Sequence, residues 1–155
     1  MIKKYRNVII WALACIAVIC FIFSNSVAGR DASNNLSSGL SQAIYKLVST
    51  LISVSFDAFH GLVRKAAHFA EFAALGASLW MTMQSARLLG GGLHTAAVLF
   101  TSLAVAVADE FIQSFTGRGS AVGDVILDFA GALVGIVITA AIIHLANRKK
   151  QPSKG

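Results

Sequence analysis

The chain has 155 residues, of which 56% are hydrophobic and only 13% charged, and its mean hydropathy is +0.72. Soluble domains carry about 25% charged residues, so this composition excludes an ordinary water-soluble domain and implies an integral membrane protein. The formal net charge of +6 fits basic flanks beside anionic headgroups and argues against nucleic acid as a partner.

The expected elements, in chain order, are all helical. Residues 1–7, MIKKYRN, are basic, and the apolar run behind them predicts a first span over about residues 8–24. A basic start with a short apolar stretch also fits a signal peptide, with Ser26-Val27-Ala28 as a cleavage site. The membranous remainder of the chain favours a retained first helix. Cys15 and Cys20 lie five apart on no common helix face, so they read as packing or lipid-facing residues, not as a disulfide or metal pair.

Residues 24–35 are small and polar and read as a loop. Over about residues 36–57, Leu36, Leu40, Ile44, Leu47 and Leu51 recur at helical spacing, with Ser37, Ser41, Lys46 and Ser49 on the other side. That pattern predicts an amphipathic helix, lying in the membrane interface or, on the alternative reading, capping the bundle through protein contacts. A second span is expected over about residues 66–86, between Arg64-Lys65 and Arg87. Gly90-Gly91-Gly92 reads as a tight turn and lacks the Lys-Ser/Thr sequel of a phosphate loop. A third span over about 93–113, a turn at FTGRGS and a fourth span over about 121–146 complete one all-α, polytopic domain over residues 1–155.

Four spans put both termini on one side. Lys3, Lys4, Arg6, Arg87, Arg148, Lys149, Lys150 and Lys154 then fall together, against Arg30, Lys46, Arg64, Lys65 and Arg118 opposite. The richer side is expected in the cytoplasm.

Three polar clusters interrupt the apolar segments. Arg64, His68 and Glu71 are spaced i, i+4, i+7 and share a helix face. Asp109, Glu110 and Gln113 close the third span, and Arg118, Asp124 and Asp128 open the fourth. Ionisable groups in membrane-length segments are costly and point to function by default. The topology puts all nine residues at one depth, on the outer side. Asp124, Asp128, Gly131 and Gly135 share a face, which aims the acids into the bundle, with the glycines as a close-packing surface.

The order and spacing of Arg64-Lys65, His68, Glu71, Glu110 with Gln113, Arg118, Asp124 and the Gly131/Gly135 pair resemble the VanZ-like family of small bacterial membrane proteins, over roughly residues 64–135. FIFSNS at the end of the first span is similar to the lead-in of that family. Phe72 stands where many members carry Tyr, and Asp128 where many carry Asn. The resemblance implies a bacterial cell-envelope role, and the founding member is associated with teicoplanin resistance. It implies no reaction.

Three readings of the residues compete. The leading one is recognition: Arg64, Lys65 and Arg118 clamp a phosphate or carboxylate of an anionic lipid, a lipid-linked precursor or another cell-wall-related ligand. Asp109, Gln113 and Asp128 then contact amines or hydroxyls. The alternative is a membrane-embedded hydrolase or transferase acting on a lipid headgroup. There, His68 and Glu71 form a general-base pair, or hold a divalent metal completed by Asp109, Glu110 or Asp124. The third is a structural network pairing Arg64 with Glu71 across two turns through His68, and Asp124 with Arg118. Interhelical polar contacts in membranes contribute only about 0.6–2 kcal/mol each, which is little against burying so many ionisable groups.

Overall fold

The computed structural model describes residues 2–27, 42, 44–46, 55–86, 91–116 and 121–149. They form four helices: α1 (Ile2–Val27), α2 (Phe56–Ala86), α3 (Gly91–Phe115) and α4 (Val122–Lys149). No strand occurs among the described residues. Three segments, Tyr5–Val27, Gly92–Phe115 and Val122–Arg148, are long and apolar enough to cross a bilayer, and the chain is a multi-pass membrane protein.

The helices overrun the apolar segments that predict them. Residues 24–27, expected as loop, are the last turn of α1, and Gly91 and Gly92, expected in a turn, open α3. α2 begins ten residues before its expected start at 66. The charged pair Arg64-Lys65 marks a change in polarity, and polarity does not end a helix; caps do. Ser55 supplies that cap: its hydroxyl accepts the Ala58 N–H at 3.4 Å and its carbonyl accepts the Phe59 N–H at 3.0 Å. Asp57 adds a negative charge in the first turn, where the helix dipole favours it. The expected amphipathic helix over 36–57 lies outside the described residues apart from Gln42, Ile44–Lys46 and Ser55–Asp57.

α2 is the central element and packs against each of the other three helices. Its 31 residues span about 46 Å, yet it is not among the three apolar segments, because its first half carries Arg64, Lys65, His68 and Glu71. Its burial explains how that polarity is tolerated. Phe72, Leu75, Gly76, Ser78 and Leu79 are buried, and Leu62 is its one strongly exposed large hydrophobic side chain among the described residues. α1, α3 and α4, by contrast, carry outward rows such as Leu13, Ile16 and Phe21, or Phe100, Val107 and Phe111. Those rows form the apolar exterior that a bilayer requires.

α2 and α4 approach closely through small residues. A Cβ placed on Gly131 would collide with the Phe69 carbonyl oxygen, one on Gly135 with that of Ala73, and one on Gly76 with that of Ala132. The pairings Phe69–Gly131 and Ala73–Gly135 ascend together, so the two helices run parallel, with α3 returning between them. Ser78 and Ser102, both buried, donate to the carbonyls of Leu75 and Val98 on their own helices, each at 2.9 Å. Their hydroxyls therefore find partners without water.

Candidate functional site

One end of the bundle collects polar groups from all four helices. α2 contributes Arg64, Lys65, His68 and Glu71, α3 contributes Asp109, Glu110 and Gln113, and α4 contributes Asp124 and Asp128. The structure brings nine of the ten expected site residues together; the tenth, Arg118, lies outside the described residues.

Asp109 is the fixed centre of the cluster and is fully buried. Gln113, one turn further along α3, donates Nε2 to Asp109 Oδ2 at 2.7 Å. Ser26, at the end of α1, donates its hydroxyl to Asp109 Oδ1. Thr116 in turn donates to the Ser26 carbonyl at 3.0 Å and to the Gln113 carbonyl at 3.2 Å. Beside this, Asn25 donates Nδ2 to Glu71 Oε1 at 2.9 Å. The last turn of α1 is thus stitched to α2 and α3 at the level of the acids.

Asn25, Ser26 and Thr116 are the site residues that sequence reasoning did not place. Neutral polar residues after an apolar run look like the start of a loop. The signal lay in FIFSNS, where the polar residues follow the apolar run without a Gly or Pro to end the helix.

Glu110 has a different task. Its Oε2 accepts the Ala121 N–H at 3.0 Å, and the Ala121 carbonyl accepts the Asp124 and Val125 N–H groups at 2.9 and 3.4 Å. Ala121 is therefore the N-cap of α4 and has no side-chain oxygen of its own. A carboxylate from the neighbouring helix satisfies its N–H, the role that a capping-box glutamate would play within one helix.

The charges arrange themselves around a small pocket, whose lining includes Arg64 and Lys65 on α2, Glu110 and Gln113 on α3, and Asp124 and Asp128 on α4. Lys65 Nζ lies 2.9 Å from Asp124 Oδ1, in a partly exposed pair. Of the two pairings expected from a purely structural network, Asp124–Arg118 falls on Arg118, outside the described residues, and a direct Arg64–Glu71 pair is not formed. Asp124 takes Lys65, and Arg64 makes no ion pair with Glu71 or any other described carboxylate. Arg64 instead lines the pocket. His68 also lines it, with Nδ1 3.8 Å from Glu71 Oε2 and 4.0 Å from Asp109 Oδ2. Asp128 is only 2% exposed.

The arrangement can do two things chemically. A guanidinium at a pocket wall with no described counter-ion can take an oxyanion. An imidazole facing carboxylates can relay a proton or share a cation. The remaining histidines stand apart: His94 packs edge-on against Trp80 with ring centroids 4.7 Å apart, and His60 stacks on Phe56 at 6.0 Å. Both cysteines are free, Cys15 buried and Cys20 exposed.

A multi-pass helical bundle with ionisable groups from several helices gathered around a pocket at one end defines the class. Within it the chain belongs to the VanZ/LLP1 family, whose model matches residues 10–144 and so takes in nearly all of the four helices. No curated protein and no solved structure matches the chain significantly.

Proposed function

We propose that the chain is a cell-envelope protein of the bacterial cytoplasmic membrane that binds an anionic lipid or a cell-wall-related ligand in the pocket beside Arg64. VanZ/LLP1 membership is consistent with a role like that of teicoplanin-resistance proteins. In this reading α2 is a fourth span, shielded from lipid by its three neighbours, and residues 36–57 include a helix at the interface. Both termini are cytoplasmic and the pocket faces outward. The observation that carries the ligand reading is Arg64: it lines the pocket and pairs with no described carboxylate, although five acidic residues lie in the same cluster. A planar guanidinium suits the bidentate recognition of phosphate or carboxylate. Lys65, already on Asp124, steers anions toward the mouth.

The test is native mass spectrometry of the detergent-purified protein. An anionic lipid retained at one per chain, and lost in Arg64→Ala while the variant stays folded, supports the reading. Retention of the same lipid by Arg64→Ala refutes it.

A second reading, a membrane-embedded hydrolase or transferase acting on a lipid headgroup, draws on the position of His68 beside Glu71 and Asp109. It requires a product to be detected from the purified protein.

A further inference from the structure

Next to Arg64 and Lys65 lies a donor set of one imidazole and two carboxylates, of which His68 and Asp128 line the pocket. His68 on α2, Asp109 on α3 and Asp128 on α4 each offer one ligand atom, and the three atoms lie within 4.8 Å of one another. Metal–nitrogen and metal–oxygen bonds of about 2.0–2.2 Å allow two ligands of one ion to stand up to about 4.2 Å apart. The His68 Nδ1–Asp109 Oδ2 distance is 4.0 Å, and neighbouring ligands of a tetrahedral ion stand about 3.4 Å apart, so an ion must draw the three donors inward by roughly an ångström.

Asp128 supplies an independent observation. It is 2% exposed and lines the pocket, and among the described residues none donates a hydrogen bond to it and no Lys or Arg pairs with it. A buried carboxylate is costly unless it is paired, hydrogen-bonded or coordinated to a metal. Asp109, in contrast, is oriented by Ser26 and Gln113, the kind of outer support that positions metal ligands.

We propose that His68, Asp109 and Asp128 bind a first-row divalent cation. One imidazole with two carboxylates suits Zn²⁺ or Mn²⁺, and the absence of a thiolate from this set disfavours Cu⁺. Three protein ligands beside a pocket leave a coordination position open toward the space beneath Arg64, where an oxyanion or water completes the shell. Cation binding does not depend on the lipid reading: the ligand set is tested with the metal alone.

The experiment strips the full-length, detergent-purified protein with a chelator, then titrates Zn²⁺ or Mn²⁺ alone. Uptake is read by elemental analysis and by the melting temperature, since a ligand of the folded state raises it. The wild type is expected to take up one cation per chain and to melt higher with it. Asp128→Asn removes the charge but nearly preserves the shape. Its metal-free form is expected to melt no lower than the metal-free wild type, while its cation affinity falls about tenfold or more. His68→Gln loses affinity likewise. Asp57→Asn, exposed in the first turn of α2 and outside the pocket, keeps it. The proposal is overturned if folded wild type takes up neither cation stoichiometrically, if either donor variant binds as the wild type does, or if Asp57→Asn abolishes binding.

Discussion

Gly135→Ala tests the packing that holds the site together. The added Cβ would stand 2.7 Å from the carbonyl carbon and 3.0 Å from the Cα of Ala73, besides colliding with its oxygen. Ordinary van der Waals contact begins near 3.4 Å, so α2 and α4 must part by about 0.7 Å or more. The obstacle is backbone, so no rotamer change relieves it. Overpacking of this kind costs about 1–3 kcal/mol, against which alanine recovers about 0.5–1 kcal/mol of helix propensity. The net loss is about 1–2 kcal/mol. At about 3 °C per kcal/mol for a chain of this length, the melting temperature in detergent should fall by about 3–6 °C. Gly131→Ala, aimed at the Phe69 carbonyl, should behave alike. Gly61→Ala and Gly123→Ala lie on the same two helices with nothing within 4 Å of the added atom, so they should melt at or above the wild type. If Gly135→Ala and Gly131→Ala melted as Gly61→Ala does, the close α2–α4 contact would be wrong.

Two further substitutions probe the polar end. Ser26→Ala removes one of the two donors to the buried Asp109 and should cost about 1 kcal/mol. Exposed Ser24→Ala on the same turn should cost nothing measurable, and equal melting of the two variants would rule out the Ser26 contact. Glu110→Gln keeps an acceptor for the Ala121 N–H and should be mild, whereas Glu110→Ala leaves that N–H without it and should cost about 1–2 kcal/mol. Hydrogen exchange at the start of α4 reports the difference, and equal protection in both variants would contradict the interhelical cap that α3 provides to α4.

The parts of this architecture that were legible in the sequence are those where physical cost is local. Asp109 and Asp128 stand out because carboxylates are rare in apolar segments, and Gly131 and Gly135 because an i, i+4 glycine pair leaves a groove on one helix face. Pairings between helices were not legible. Lys65 on α2 reaches Asp124 on α4 at 2.9 Å, and nothing local to either residue announces the contact. The Arg64–Glu71 pair fails for a geometric reason: seven residues is about 10 Å of helix rise, too far to close without distortion. Ser26 was read as loop because its partner, Asp109, is 83 residues away, and nothing local shows that a donor is needed there.

The same distinction explains α2, the least apolar of the four helices in its first half and the most enclosed. Hydropathy measures what a helix shows to lipid. α1, α3 and α4 show lipid their Ile, Leu, Val and Phe rows, whereas α2 shows it little beyond Leu62. A polar residue on α2 therefore meets other helices and not hydrocarbon, and its burial can be offset by partners such as Asn25 and Asp124. The small residues Gly76, Gly131 and Gly135 bring the α2 and α4 backbones close, and that separation also sets the spacing between His68 on one helix and Asp128 on the other. Packing and donor geometry are thus one property of the α2–α4 contact: a larger side chain that parted the helices would spread the three ligand atoms past the span that a single ion bridges.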